Sequence, residues 1–328
     1  MSIRAVVHGM GMSVPKKIVT NDDLSKIVDT NDEWITQRTG IKQRHVCEEE
    51  ETCVGLSLAA AREALAAAQL DPADLELVIL ATVTNDYIFP AGACFVQDAL
   101  GAKNAGAFDL GAACAGFIYA TATAAGMIES GAVENALVIG CDTLTKYLDW
   151  TDRSTCILFG DGAAAMVLQG EHGADRGLVK TVLLSDGAGA NHIRIDGGGS
   201  KYPSCNPKFK DVNNTLFMAG PEVYRFAVTA MGDACMKLLD EVGMDPSEID
   251  LFVPHQANLR IIESAKTRLK LSDDKVFVNV DRYGNTSAAS VPIALYEAEK
   301  SGRLKKGDLV MTVGFGAGLV WGANLIRW

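Results

Sequence analysis

Apolar residues run along this chain in two alternating patterns: unbroken short runs, and longer alanine- and leucine-rich runs at helical spacing. Residues 75–83 (LELVILATV) are near-continuously apolar, the mark of a strand covered on both faces in a parallel sheet. Before them, residues 54–69 read as an Ala/Leu helix that Asp71-Pro72 stops. At the start, residues 4–7 predict a first strand ending at Gly9 and Gly11. Asn21-Asp22-Asp23 suits the cap of a short helix. Thr30 to Glu33 fits a capping box, so a helix carrying Trp34 is expected there. The following ITQRTGIKQRH brings Arg38, Lys42 and Arg44 together, as a solvated basic turn or as phosphate contacts beside an aromatic that stacks on a base. The acidic run 48–51 reads as solvated surface, and Phe89-Pro90 opens a loop into a helix near Gln97.

The stretch FDLGAACAGFIYATATAAGMIESG, residues 108–131, reads as a strand end, a corner of small residues, and a helix whose first turn carries Cys114. A thiol there feels the positive end of the helix dipole, which favours the thiolate. Its small neighbours admit the close approach of another molecule. A strand at 136–140, a polar stretch to Arg153 and a Gly turn entering a strand at 157–168 complete the first half.

The pattern then repeats. Asp71-Pro-Ala-Asp-Leu-Glu-Leu-Val-Ile-Leu is echoed by Asp245-Pro-Ser-Glu-Ile-Asp-Leu-Phe-Val-Pro. Cys114 lies 43 residues after Asp71, and Asn285 lies 40 after Asp245; each stands 16 residues before a Ser-Gly that leads into an apolar strand. Two copies of one strand–helix unit, spanning 1–170 and 171–328, predict a duplicated α/β fold. Cys114 and Asn285 should then occupy matching corners that face each other across a pseudo-twofold axis.

In the second half, residues 191–214 are polar and rich in Gly, Lys and Asn, which predicts a long loop or flap. A helix at 221–242 and a strand at 249–253 follow. His255 thus falls at the carboxyl end of a parallel strand, where open α/β sheets bind ligands. Residues 259–271 read as a helix bearing Arg260, Lys266, Arg268 and Lys270. A turn at 281–287 feeds a helix from Ala288, and Gly314 to Gly318 reads as a tight Gly turn before the last strand.

Composition narrows the classes. The chain has 328 residues, 48% of them hydrophobic, so a large core is affordable to it; its formal net charge of -11 argues against nucleic acid as the main partner. Any acidic partner must meet a local basic patch. Eight cysteines without a Cys-x-x-Cys pair give neither a disulfide scaffold nor a zinc spacing, which suits a reducing, cytoplasmic setting. No apolar run approaches the ~20 residues of a membrane span, and the start lacks a signal-peptide core.

Cys114, His255 and Asn285 therefore stand out as one constellation. Cys is the nucleophile, a thioester its natural electrophile, and His and Asn both donate hydrogen bonds to a developing oxyanion. Two donors converging on one oxygen suit an enolate better than proton shuttling alone, which hints at carbon–carbon bond formation with loss of CO2. A Cys/His/Asn hydrolase of the papain kind uses the same residue types in the same order, but the duplication argues against it. A catalytically dead scaffold is disfavoured by three intact chemical positions.

DLGAACAGF, VPHQANLRI, RYGNTSAASVPIAL and VGFGAGLVWGA resemble the signature segments of the thiolase-fold condensing enzymes, and within them the 3-oxoacyl-[acyl-carrier-protein] synthase III family. NDEWITQRTGIKQRH and FMAGPEVYRFAV are similar to it as well, and the likeness runs from end to end. It implies a thiolase-like fold layered α-β-α-β-α and a homodimer. It implies that Cys114 is acylated by a short acyl-CoA, and that His255 and Asn285 hold the thioester oxygen of malonyl-acyl carrier protein (ACP) as CO2 leaves and the carbanion attacks. Backbone N–H groups of Cys114 and Ala317 would form the other oxyanion hole, with Ala317 standing where the family has Gly. The resemblance also assigns coenzyme A contacts to Trp34, Arg38, Arg153 and Asn258, an ACP patch to Arg225, Arg260, Lys266 and Arg268, and the acyl pocket to Phe89, donated across the dimer, and Phe315. It implies no metal and no cofactor beyond the coenzyme A thioester. A bulky Phe89 points to a short primer such as acetyl, while the long 191–214 segment bears on the entrance and so on primer choice. Thiolase proper is disfavoured, since Gly314 to Gly318 holds no second Cys. A specialised paralogue that loads another acyl or aroyl starter, or condenses two acyl-CoAs, is the alternative within the fold.

Overall fold

A computed structural model describes residues 2–328. In chain order the strands are β1 (Ile3–Ser13), β2 (Ile18–Thr20), β3 (Gln43–His45), β4 (Leu77–Ala81), β5 (Gly106–Leu110), β6 (Asn135–Asp142), β7 (Gly162–His172), β8 (Gly177–Ser185), β9 (Ile193–Arg194), β10 (Phe217–Met218), β11 (Leu251–Pro254), β12 (Leu309–Gly316) and β13 (Val320–Arg327). The helices are α1 (Asn21–Leu24), α2 (Asp32–Thr39), α3 (Cys53–Ala68), α4 (Gly92–Leu100), α5 (Gly116–Glu129), α6 (Gly220–Val242), α7 (Leu259–Leu269), α8 (Val280–Tyr283) and α9 (Ser290–Lys300).

The duplication is written in the two large sheets. The first has the order β1-β7-β6-β4-β5 and the second β8-β13-β12-β11, with Val276 bridging the free edge of β11 in the place of a fifth strand. Strand directions match one for one. β4 is parallel to β6 and β5, as β11 is parallel to β12 and to the Val276 bridge; β6–β7–β1 and β12–β13–β8 are antiparallel steps.

Five layers follow from where the apolar faces are buried. α5 and α9 lie between the sheets, where Phe117, Ile128, Val291 and Leu295 pack with Ile79 and Val138 of one sheet and Val253 and Val310 of the other. α3 covers the outside of the first sheet through Ala60, Ala64 and Leu65. α6 covers the outside of the second through Ala227, Met231 and Leu238. The unbroken burial of β4, β6 and β12 is what strands roofed on both faces require.

Three local expectations need correction. β1 does not end at Gly9 and Gly11 but runs through them. These glycines let α3 lie flat on the strand, because a Cβ at either would stand 2.4 Å from Ala64 O or 2.1 Å from Ala60 O. Arg44 is not in a solvated turn. It is fully buried, donating to Asn21 Oδ1 and Ile157 O, and burial pulls its pKa down to about 10. The segment 314–318 is not a turn: β12 extends to Gly316, and the chain reverses only at 317–319.

The polar segment at 191–214 is an ordered flap. β9 pairs with β10, Asp196 N–H donates to Asn213 O, and Leu216 N–H ties it to Tyr147 O. Arg194 bonds Asp196 at 2.7 Å and covers the Phe217 ring.

Candidate active site

Three elements deliver the three chemical residues to one cavity. Its volume is about 510 Å³, and its walls include Cys114, His255, Asn285, Ser287 and Phe315, with apolar side chains Leu144, Phe159, Ile193, Leu216 and Met218. Every one of these apolar residues comes from a loop or strand end, and the flap supplies the last three.

Cys114 follows β5 in a single 3-10 turn, Ala113–Ala115, that leads into α5. Ala113 takes the left-handed φ of 45° that bends the chain there. Gly314 and Gly316 of β12 lie directly beneath, where a Cβ would stand 3.2 Å from Cys114 O or 2.6 Å from Cys114 N. That close approach, rather than turn formation, is what those glycines serve. The thiol donates to Ser287 Oγ at 3.3 Å. Cys114 keeps part of its surface open to the cavity, but protein encloses the sulfur, and burial pushes the thiol up to about 12. The expectation of a ready-made thiolate is thus overturned: desolvation outweighs the helix end, and the Asp142 charge pushes the same way.

His255 follows β11, and its backbone N–H donates to Val313 O at 2.8 Å. The imidazole is buried, packed edge-on against Phe315 at 5.3 Å between centroids, with Nδ1 bonded to Ser290 Oγ. Burial pulls its pKa down to about 3, so the ring is neutral. Nε2 is buried and has no hydrogen-bond partner. A Ser290 hydroxyl donating to Nδ1 leaves the proton on Nε2, ready to be donated into the cavity.

Asn285 is fixed by its backbone, which bonds Leu158 O at 2.8 Å and Gly160 N–H at 3.0 Å. Its Oδ1 accepts Ser287 N–H at 2.8 Å, which assigns the acceptor end of the amide and leaves the NH2 free to donate. Asn285 and Cys114 do come from matching corners, with one refinement. The second 3-10 turn is Ser287–Ala289, entered by Ser287 at φ 52°, so Ala288 is the positional twin of Cys114 and Asn285 stands three residues earlier.

Ala317 lies on the cavity wall beside Gly316, and its φ is not in the left-handed region. The unusual angle belongs to Gly318, at 146°, so Ala in place of Gly at 317 carries no strain. Trp34 carries Arg38 4.5 Å and Arg153 5.3 Å from its ring centroid, a cationic platform on α2. Arg153 is braced by Asp29 O at 2.9 Å. Arg38, Asn258 and Arg260 reach the cavity wall. Asn258 also caps α7, accepting from Arg260 N–H at 2.9 Å and donating to Arg38 O at 3.1 Å.

The expected basic patch is narrower than its residue count. Arg225 pairs with Glu222, Arg268 with Asp233, and Lys266 is held by Glu263 and Asp273 with its side chain only 17% exposed. Arg260 alone of the four forms no ion pair among the described residues and lies over Tyr224. Phe89 does not reach this cavity; it is 83% exposed at the tip of an apolar loop with Tyr87 and Ile88. Phe315 does line it, but its main contact is the His255 ring.

Sequence reading missed Ser287, Ser290 and Asp142. The first two lay inside a segment read as a turn and a helix start. Asp142 had one usable signal: a lone carboxylate closing an apolar run that ends buried.

The fold and site define a condensing enzyme of the thiolase type, with a buried nucleophilic Cys and two neutral hydrogen-bond donors at the seam of a duplicated α/β sheet pair. Models of the 3-oxoacyl-[acyl-carrier-protein (ACP)] synthase III family match residues 108–187 and, for its C-terminal part, 239–328. The chain is 51% identical over 323 residues to a beta-ketoacyl-[acyl-carrier-protein] synthase III of Desulfitobacterium hafniense (strain Y51), covering 98% of this chain and 97% of that one. It superimposes on the crystal structure of 3-oxoacyl-[acyl-carrier-protein] synthase III from Aquifex aeolicus VF5 with TM-score 0.92 and 45% identity, covering 99% and 100% of the two chains. The priming beta-ketosynthase of the R1128 polyketide pathway also superimposes, at TM-score 0.91 and 37% identity over 98% and 96%. This chain belongs to the 3-oxoacyl-[acyl-carrier-protein] synthase III family.

Proposed function

We propose that this chain starts fatty acid synthesis by condensing a short acyl-CoA with malonyl-ACP. The observation that carries the reading is the convergence of Cys114, His255 and Asn285 on one cavity whose wall also holds Arg38, Asn258 and Arg260. Trp34 stacks on the adenine, while Arg38 and Arg153 pair with phosphates, so the acyl-pantetheine arm enters toward Cys114. The Cys114 sulfur attacks the thioester carbon. The oxyanion is met by backbone N–H groups of Cys114 and Ala317, and coenzyme A leaves as its thiol.

Malonyl-ACP then docks with Arg260 meeting the acidic carrier, a single free cation in a chain of net charge -11. His255 Nε2–H and the Asn285 NH2 donate to the malonyl thioester oxygen. They stabilise the enolate as the carboxylate departs as CO2, and the carbanion carbon attacks the acyl-Cys114 carbonyl. A neutral imidazole suits this role, because a donor that stays neutral adds no charge to a buried site. A homodimer would bury the exposed Tyr87-Ile88-Phe89 loop and let Phe89 close the partner's acyl chamber, which favours acetyl. The reading needs no metal or cofactor beyond the coenzyme A thioester, and places the enzyme in the cytoplasm.

Intact mass spectrometry after exposure to a panel of acyl-CoAs tests it. A single acyl adduct on the wild type and none on Cys114→Ala is expected, with acetyl preferred. Larger acyl or aroyl adducts would move the chain to a specialised priming role. No adduct on a folded protein with a free thiol would sink the synthase reading.

A further inference from the structure

The resting thiol of Cys114 is not bonded to His255. Its proton points to Ser287 Oγ, 3.3 Å away, while His255 Nε2 has no partner. Behind Ser287 lies Asp142, a carboxylate with no exposed surface at the end of β6. Asp142 Oδ1 accepts from Thr82 Oγ1 at 3.0 Å, Val83 N–H at 2.9 Å and Thr84 Oγ1 at 2.8 Å. Its Oδ2 accepts Ala288 N–H at 3.3 Å, next in sequence to Ser287. The Ser287 hydroxyl faces this carboxylate and stabilises its ionised form, against a burial that favours protonation. No lysine, arginine or histidine lies among the groups that sense Asp142. Those groups are the Cys114 and Cys141 thiols and the Tyr147 phenol.

We infer that Ser287 and Asp142 form the relay that takes the Cys114 proton during acylation. As sulfur attacks, the S–H proton passes to Ser287 Oγ and the Ser287 hydroxyl proton passes to Asp142, which becomes a carboxylic acid. When the tetrahedral intermediate collapses, the same protons return in reverse onto the departing coenzyme A sulfur, so the carboxylate is restored and the thiol product leaves neutral. One negative charge is present at every stage; it moves by a side chain's length instead of being created. A cysteine–histidine pair would instead have to create an imidazolium and a thiolate in a buried site, and separating charge there is expensive. The imidazole is free to stay neutral for the second half-reaction. The strained φ of Ser287, 52°, is accounted for by the same role: it aims one hydroxyl at both the nucleophile and the carboxylate.

This relay rests on the proposed acylation of Cys114, and the test separates the two. The probe is acetyl-CoA, the readout the single-turnover rate of Cys114 adduct formation across pH 6–10. Absence of any wild-type adduct would remove the functional reading itself. Given an adduct, the wild-type rate should be flat near neutrality. Ser287→Ala should be slower at pH 7 by roughly 10²–10⁴-fold, the usual contribution of a positioned proton acceptor. Its rate should climb about tenfold per pH unit, because the thiol must then ionise unaided. Alanine fits this backbone, since Ala113 holds the same conformation in the first corner. Asp142→Asn should behave like Ser287→Ala, and circular dichroism and Tm check that both are folded. A merely structural role would lower Tm and leave the profile flat, which overturns the relay. His255→Gln should keep the flat profile. If it acquires the alkaline climb and Ser287→Ala does not, the base is His255 and the inference is wrong.

Discussion

Two corners of this molecule are built alike and used differently. Ala113–Cys114–Ala115 and Ser287–Ala288–Ala289 are each one 3-10 turn, each entered by a residue with left-handed φ, each leading into one of the paired central helices α5 and α9. In the first corner the middle residue is the nucleophile. In the second the middle residue is Ala288, fully buried, whose N–H holds Asp142. The chemistry of the second corner has moved to its flanks, Ser287 and Asn285. Duplication thus supplied two copies of one backbone device, and the cavity formed where they meet gave each copy a separate task. A fold can repeat its geometry without repeating its chemistry.

The sharpest way to break that comparison is to exchange the middle residues. Ala288→Cys placed in a Cys114→Ala background should give no acyl adduct at all by mass spectrometry, because residue 288 has almost no surface and its side chain has no route to the cavity. An adduct there would mean that the corners are interchangeable.

Next in size is Asn285→Ala. It should retain acylation by acyl-CoA and lose decarboxylative condensation by about 10²–10³-fold, the effect of removing one oxyanion donor. Equal loss of both half-reactions would refute the division of labour between the corners.

The buried imidazole gives a stability test. With its pKa pulled down to about 3, His255 stays neutral in the folded chain while in the unfolded chain it takes a proton below about 6.5. Between those values the unfolded state binds more protons, so this residue adds nothing to the pH dependence above 6.5 and lowers stability as pH falls below it. The slope is about 1.4 kcal/mol per pH unit. His255→Gln should flatten the acid side of the stability curve relative to wild type, measured by denaturant melts from pH 7 to pH 4.5. Parallel curves would contradict a buried neutral ring.

The smallest expected effect lies away from both corners. Trp34→Ala should weaken coenzyme A binding by about 1–3 kcal/mol, the value of one base–aromatic stack, in calorimetry. The acylation rate at saturating acyl-CoA should hardly change. A fall in that rate would tie the platform on α2 to the chemistry of the corners.

Much of this was legible before folding. The echo of Asp71 to Leu80 in residues 245–254 announced the duplication, and the matching sheets carry it out strand by strand. Cys114, His255 and Asn285 were visible because each sits where an apolar strand or a small-residue corner ends. Less legible were the states of those groups. Sequence puts Cys114 beside a helix start and suggests a thiolate. Enclosure by Ser287, Phe315 and β12 decides otherwise, because desolvation depends on what the rest of the chain brings near. The basic residues of α7 read as a patch because their acidic partners lie elsewhere: Asp233 on α6 and Asp273 beyond the helix end neutralise Arg268 and Lys266.

By itself, then, the sequence determined local periodicity, the repeat and the identity of the reactive groups, since these depend on residue type and spacing along the chain. Only the tertiary structure decided which groups face one another, which protons they hold, and that a carboxylate from β6 stands behind the nucleophile. Those are matters of distance and dielectric between residues as much as 173 positions apart, such as Cys114 and Ser287, and no local pattern encodes them.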